Sequence, residues 1–132
     1  MQLRHTLLVR TDLGMNMGLM GAQIAHIGQE VFRNHHLDVG GTQTYEMAKK
    51  VLEWVKDPYL FLHGVPNREA LDYFIELSRK QDVVCHEWRD TIFLEIAEGQ
   101  TITLPNVLVG CSLGPDDADK IRLVVGKLPL LK

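Results

Sequence analysis

Asp90 is the residue of this chain best placed to do chemistry, because it follows a predicted strand at residues 83–88 after a single arginine. In α/β proteins the strand ends form the mouth of the sheet, where binding sites are built. A carboxylate there could orient a water molecule or activate a substrate hydroxyl as a general base. The alternative is a structural role for Asp90, as a turn residue that pairs with Arg89. The sequence therefore nominates Asp90 as a catalytic residue and leaves the structural alternative open.

A polar stripe on the first predicted helix supplies further candidates. Four residues recur at steps of four, three and four, and so share one helical face: Leu19, Gln23, His26 and Glu30. The amide of Gln23 and the imidazole of His26 are thereby aligned behind a leucine at the start of the helix. A lone histidine on a helix more often has a structural role, so both interpretations of His26 stay open.

Arg10 and Asp12 lie at the end of the first predicted strand, residues 6–11. Arg10 could bind phosphate or pair with Asp12. The carboxylate of Asp12 could contact substrate or accept hydrogen bonds from backbone amides of the following turn. These two residues therefore have a binding interpretation and a structural one.

Histidine and cysteine spacings give no metal site. Residues 35–38 contain two adjacent histidines and Asp38, but adjacent residues do not share a helical face, and neither H-x-x-x-H nor C-x-x-C occurs. We therefore predict a solvated loop at residues 35–41 and no bound metal. Cys85 and Cys111 fit reduced thiols on strands, since two cysteines make too small a framework for a secreted disulfide scaffold.

Length, composition and charge predict one globular domain over residues 1–132. Of the 132 residues, 45% are hydrophobic and 23% charged, enough for one continuous core. No apolar run approaches the about 20 residues of a bilayer span, and no signal-peptide pattern follows Arg4 and His5, so we expect a cytosolic protein. The net charge of −3 counts against nucleic-acid binding without excluding it, because the distribution of Lys and Arg matters more than their total.

Apolar periodicity and turn residues predict strands that alternate with helices. In chain order we predict a strand at 6–11, helices at 17–34 and 42–55, a strand at 59–65, a helix capped by Asn67, a strand at 83–88, a hairpin turning at Glu98-Gly99, a strand at 107–113 and a last helix from Pro115 to Gly126. Asn16 is the expected N-cap of the first helix. This order predicts an α/β fold, a single-domain three-layer sandwich with a mixed central sheet and helices on both faces.

The segment from Arg10 to His26 carries the most informative pattern, R-T-D-L-G-M-N-M-G-L-M-G-A-Q-I-A-H. It resembles the opening of the type-two peptidyl-tRNA hydrolases, which reads roughly V-V-R-x-D-L-K-M-G-K-G-K-x-A-A-Q-x-x-H. The resemblance continues in order through V-P-N at 65–67, W-R-D at 88–90, the strand at 105–115 and G-K-L-P-L-L at 126–131. Scaffold residues match, whereas Gly14, Met17 and Leu19 stand where the family pattern has lysines.

The resemblance implies the family's fold, a homodimer and hydrolysis of the ester that joins a peptide to the terminal ribose of tRNA, without a cofactor. In that reaction Asp90 would position or activate the attacking water, and His26 and Gln23 would orient the substrate. Arg10 and Asp12 would border the same concave site as substrate-binding residues. Peptidyl-tRNA is thus the implied partner, with no membrane and no metal.

Two departures from the family pattern bear on activity. The chain is longer between Asp90 and Pro105, which predicts an added hairpin at 92–104. This hairpin could carry the displaced threonine, as Thr101 or Thr103, back to the site to bind substrate. The missing lysines remove a cation whose electrostatic contribution is about two to three orders of magnitude in rate, so peptidyl-tRNA hydrolysis could be weak or lost.

Two alternatives follow from the missing lysines. A non-catalytic module could have kept the fold and bind RNA or a protein. A hydrolase or transferase could act on a smaller, less anionic substrate, with Met17, Leu19 and Met20 lining an apolar pocket. The sequence leaves both alternatives open beside the hydrolase.

Overall fold

The computed structural model describes residues 2–35 and 42–131. Within them lie, in chain order, β1 (Leu3–Arg10), α1 (Met17–His35), α2 (Thr42–Lys56), β2 (Tyr59–Val65), α3 (Arg68–Lys80), β3 (Cys85–Ala97), β4 (Gln100–Asp117) and α4 (Ala118–Val125). The predicted loop at 35–41 falls outside the described residues, apart from His35, which ends α1.

The four strands form one mixed sheet in the order β2-β1-β4-β3. β1 is parallel to β2, with Leu7 opposite Leu62, and antiparallel to β4, with Leu7 opposite Ser112. β3 and β4 form an antiparallel pair. The apolar run at residues 7–9 suits the central position of β1, because a strand covered on both faces buries every side chain, and all three residues are at most 2% exposed.

Helices cover both faces of the sheet. Leu8 points to one face and packs with Leu71 of α3 and Ile121 of α4. Its neighbour Val9 points to the other face, as alternation along a strand requires, and packs with Ile27 of α1. α2 packs on this second side against the C-terminal half of α1. The predicted α/β three-layer sandwich with a mixed sheet is therefore confirmed.

Two asparagines begin helices as predicted. The side-chain oxygen of Asn16 accepts a hydrogen bond from the backbone N–H of Leu19 at 2.8 Å. The side chain of Asn67 accepts one from Ala70 at 2.8 Å. Each bond satisfies a backbone donor that the first helical turn leaves unpaired. The start of α1, the helix that carries Gln23, is thus set by a local signal in the sequence.

β3 and β4 are longer than predicted. They span 13 and 18 residues, so the predicted strand at 83–88, the hairpin and the strand at 107–113 form two continuous strands joined at the predicted Glu98-Gly99 turn. The register of the β3–β4 pair shifts between Trp88 and Arg89 and again between Asp90 and Ile92, as it does at β-bulges. Asp90 therefore lies inside β3, and its placement at a strand end was wrong.

The last helix begins later than predicted. Pro115 lies in β4, which continues to Asp117 because its end pairs with the start of β1, with Leu3 opposite Asp117. Asp117 then caps α4 by accepting a hydrogen bond from the N–H of Asp119 at 2.8 Å. The prediction of Pro115 at the first helical position was therefore wrong, whereas the helix does end at Gly126 as predicted.

Candidate active site

The carboxylate of Asp90 accepts one hydrogen bond at each oxygen. The amide nitrogen of Gln23 donates to Oδ2 at 3.0 Å, and the backbone N–H of Thr91 donates to Oδ1 at 2.8 Å. Asp90 is half-buried, and an ionised carboxylate has about four acceptor positions. Two donors therefore fix the orientation of this carboxylate while acceptor positions remain for a water molecule.

The pairing of β3 with β4 places Asp90 near the end of β1. Trp88 of β3 and Val9 of β1 lie opposite the same residue of β4, Gly110. β1 ends at Arg10, one residue after Val9. Asp90 is therefore level with the end of the central strand, although its own strand continues into the hairpin.

α1 delivers Gln23 and His26 to this end of the sheet. Gln23 is 3% exposed, and its amide oxygen accepts a hydrogen bond from the indole N–H of Trp88 at 2.7 Å. His26 is exposed, and its ring stacks on Trp88 with centroids 4.8 Å apart and planes 12° apart. The structure thus brings Gln23, His26 and Asp90 together on the α1 side of the sheet, with Trp88 between them.

Arg10 and Asp12 pair with each other. The Arg10 guanidinium donates to both carboxylate oxygens of Asp12, at 3.0 and 2.9 Å, and to the carbonyl oxygen of Leu108 at 3.2 Å. The hydrogen bonds from Arg10 lower the pKa of Asp12 below its usual value. Among the contacts of the described residues, none joins this pair to Gln23 or Asp90, so the structure places the two groups near the same sheet end without connecting them.

Comparison with known proteins shows the family of this chain. The family model described as "Peptidyl-tRNA hydrolase PTH2" matches residues 3–131. The chain belongs to this family. A protein of Staphylothermus marinus named peptidyl-tRNA hydrolase is 27% identical over 134 residues, which cover 97% of this chain and 94% of the relative. The predictions of a type-two peptidyl-tRNA hydrolase relationship and of a hydrolase family are therefore confirmed.

Trp88 is a site residue of this PTH2 chain that the sequence analysis did not nominate. Its position immediately precedes Arg89-Asp90, and it points to the same side of β3 as Asp90, two residues further on. That spacing was the available signal, but a tryptophan next to an apolar strand is usually explained by packing. Only its contacts with Gln23 and His26 show its place in the site.

Thr101 is not at this site. It lies opposite Glu95 in the exposed part of the hairpin, whereas Asp90 lies opposite Val107. At about 3.3 Å per residue along a strand, the six residues from Thr101 to Val107 span about 20 Å. The pairing of β3 with β4 continues to Gln100 and so carries Thr101 away from Asp90. The expectation that the hairpin returns Thr101 to the site was wrong.

The positions where the family has lysines form an apolar end of α1 in this PTH2 chain. Leu19 packs into the core cluster on the α1 side of the sheet, together with Met15 and Leu94. Met17 is 90% exposed. The helix start beside the Gln23–Asp90 contact therefore presents methyl and thioether groups where a cation would otherwise attract phosphate.

A groove among the described residues lies away from this site. It has a volume of about 450 Å³ and is lined by residues of α3, α4 and the following turn, including Phe74 and Leu128. α3 and α4 cover the face of the sheet opposite Gln23. The candidate site is therefore identified by its hydrogen bonds and by the family match.

The described residues contain neither a metal-ligand cluster nor a helix that could span a membrane. Residues 2–35 and 42–131 contain no group of three or more histidine, cysteine, aspartate or glutamate side chains that could hold a metal ion. His36 and Asp38 lie outside those ranges, so the prediction of no metal stays a prediction. Over the same ranges no helix has the length and apolar character needed to cross a bilayer. Cys85 and Cys111 carry free thiols on β3 and β4, as expected.

Proposed function

We propose that this protein hydrolyses the ester between the acyl group and the terminal ribose of an N-acylated aminoacyl-tRNA. The observation that carries the proposal is the hydrogen bond from Gln23 to Asp90, in a chain whose residues 3–131 match the family model. The name of the Staphylothermus marinus relative supports the same substrate class.

In the proposed mechanism Asp90 is the general base. With Oδ2 held by Gln23 and Oδ1 by Thr91, its free acceptor positions orient a water molecule toward the ester carbonyl. As the water oxygen attacks, its proton passes to Asp90. The bond to the ribose oxygen then breaks, that oxygen takes up the proton from Asp90, and the carboxylic acid product releases its own proton to solvent. His26, exposed beside Trp88, is placed to bind the substrate and to supply a hydrogen bond to the leaving oxygen.

The remaining candidate residues have supporting roles in this proposal. Gln23, which is buried between Trp88 and Asp90, orients the carboxylate and does not itself contact the substrate. Arg10 and Asp12 border the site, where their ion pair shapes the end of β1. A homodimer, implied by the family, and a cytoplasmic location, expected from the sequence, are part of the proposal, and sedimentation of the purified chain tests the dimer. No cofactor takes part in the proposed reaction.

We further propose that hydrolysis of peptidyl-tRNA by this chain is weak. The apolar start of α1 lacks the lysines that would attract tRNA phosphates and stabilise negative charge on the ester oxygen. The exposed Met17 and the partly buried Leu19 also favour a second candidate function, hydrolysis of a smaller and less anionic ester. A non-catalytic RNA-binding or protein-binding module is the remaining alternative.

A deacylation assay distinguishes these functions. The purified full chain is incubated with N-acetyl-aminoacyl-tRNA and, separately, with the corresponding N-acetyl-aminoacyl ester of adenosine. Turnover of the tRNA substrate that is lost in Asp90→Asn supports the proposed function. Turnover of the adenosine ester alone supports the smaller substrate, and turnover of neither, in a protein that binds tRNA, supports the non-catalytic module.

A further inference from the structure

The indole of Trp88 sets which way round the amide of Gln23 lies. An indole N–H is a donor and has no acceptor atom, so the atom that meets it at 2.7 Å must be the amide oxygen of Gln23. The amide NH₂ group then points to the other side. There it donates to Oδ2 of Asp90 at 3.0 Å, and a carboxylate is the acceptor that this group requires.

The reverse orientation of the Gln23 amide would lose both hydrogen bonds. Its NH₂ group would face the indole N–H, and its oxygen would face the carboxylate of Asp90. Gln23 is 3% exposed, so water has little access to replace the lost partners, and unpaired buried polar groups are costly. With Trp88 in place, only one of the two amide orientations is therefore compatible with an ionised Asp90.

The ring of Trp88 is itself held in place. One face stacks on His26. Across the ladder its neighbour is Gly110, where an added Cβ would lie 2.6 Å from a side-chain carbon of Ile27 and 2.1 Å from the carbonyl oxygen of Leu8. Gly110 therefore allows α1 to approach the sheet closely beside Trp88. This close approach keeps Gln23 within reach of the indole.

We propose that Trp88 is a positioning residue for Asp90, acting through Gln23. Its N–H fixes the amide so that the NH₂ group holds Oδ2 of the carboxylate. The kinetic part of this inference rests on the proposed function, in which Asp90 is the base. The structural part, that the indole fixes the amide orientation, is independent of activity.

The variant that tests the proposal is Trp88→Phe, which keeps an aromatic ring beside His26 and removes the donor. Its matched control is Trp54→Phe, because the indole of Trp54 donates to the backbone oxygen of Tyr59 at 2.9 Å, away from Asp90. In the ¹⁵N-labelled full chain, the side-chain NH₂ signals of Gln23 are assigned by their loss in Gln23→Met. We expect these protons to exchange with water at least about tenfold faster in Trp88→Phe, since the fixed hydrogen bonds are lost, and at the wild-type rate in Trp54→Phe.

Kinetic measurements test whether Trp88 acts on Asp90 through Gln23. In the deacylation assay Trp88→Phe should lower kcat about tenfold with little change in KM, because orientation of the base is lost while substrate contacts remain. In a Gln23→Met background the same change should have no further effect, whereas a residue that acts only through packing gives additive losses.

Two results would overturn the proposal: Gln23 amide exchange in Trp88→Phe equal to wild type, or additive losses in the double variant. If the wild-type protein hydrolyses neither ester, the proposed function fails. The amide exchange measurement still decides whether Trp88 positions Gln23.

Discussion

Two histidine–tryptophan pairs lie toward opposite ends of β1, and they differ in what can reach them. His26 and Trp88 stack face to face at 4.8 Å, and His26 is exposed. His5 and Trp54 meet edge to face, with ring centroids 5.2 Å apart and planes at 90°. His5 is 1% exposed. The first pair lies next to Asp90, and the second is buried where α2 packs on the sheet.

The hydrogen bonds of the two pairs show the same difference. Nε2 of His5 lies 2.6 Å from the hydroxyl of Ser112, an imidazole–hydroxyl contact of the kind used in nucleophilic catalysis. Both residues are at most 1% exposed, so no substrate can reach them. Trp54 donates to a backbone oxygen, whereas Trp88 donates to a side chain that contacts Asp90. Access from solvent, and not residue type, separates the candidate active site from the structural pair.

The largest predicted effect concerns the buried pair. Burial, with a smaller contribution from the nearby His86, lowers the pKa of His5 to about 4. Because this pKa is below the unfolded value of about 6.5, the stabilising contribution of neutral His5 is fully present above pH 6.5 and is lost as the pH falls toward 4. The free energy of unfolding should fall by about 3 kcal/mol from this group between pH 7 and pH 4.

Urea unfolding at several pH values measures this effect. His5→Gln removes the titrating group, so its free energy of unfolding should depend less on pH than that of wild type over this range. Equal pH dependence in wild type and His5→Gln would contradict the assignment of the buried pair as structural.

The next largest predicted effect concerns the helix start beside the exposed His26–Trp88 pair. Leu19→Lys restores a cation one turn before Gln23 and should raise kcat/KM for N-acetyl-aminoacyl-tRNA about tenfold, by attracting phosphate and stabilising charge on the ester oxygen. The lysine stem can cover the apolar cluster while its amine reaches water. Higher salt should weaken the gain in binding more than a gain in kcat at saturating substrate.

The control for added charge is Leu52→Lys on α2, since Leu52 is 66% exposed and belongs to the helix over the buried pair. It adds the same charge away from Asp90 and should leave kcat/KM near the wild-type value. If wild type already hydrolyses the tRNA substrate efficiently and Leu19→Lys changes nothing, the missing lysine is not a catalytic loss.

The smallest effect concerns Arg10 and Asp12 at the end of β1. The Asp12 side chain is one-third exposed, so solvent screens the pair and Asp12→Asn should lower the free energy of unfolding at pH 7 by less than about 1 kcal/mol. Because Arg10 lowers the pKa of Asp12, this contribution is fully present above the unfolded pKa and is lost as the pH falls through the lower pKa of the folded state. Thermal unfolding of wild type and Asp12→Asn over a series of decreasing pH values checks the prediction, which a stability difference that does not change with pH would contradict.

Local signals in the sequence predicted the parts of the fold that local hydrogen bonds decide. Asn16 and Asn67 were recognised as caps because a cap depends on residues three positions away. The buried run at residues 7–9 predicted a central strand because a doubly covered strand has no polar face. The family resemblance predicted that Gln23 and Asp90 belong to one site, and the structure places them in contact.

The errors arose where distant pairing decides the structure. Asp90 was placed at a strand end because a register shift depends on the partner strand β4 and leaves no clear local pattern. Pro115 was read as a helix start, yet pairing with β1 extends β4 beyond it. Trp88 was missed because its hydrogen bond requires α1 to pack on β3, 65 residues apart in sequence.

The central claim is that the carboxylate of Asp90, held by Gln23 at the open end of the sheet, acts in the chemical step. Single-turnover hydrolysis of N-acetyl-aminoacyl-tRNA at saturating enzyme measures that step separately from binding. Asp90→Asn should lower its rate at least about a hundredfold, as expected for loss of a general base. Asp72→Asn, the same change at an exposed carboxylate on α3, should leave it unchanged. A wild-type single-turnover rate in Asp90→Asn would contradict the account.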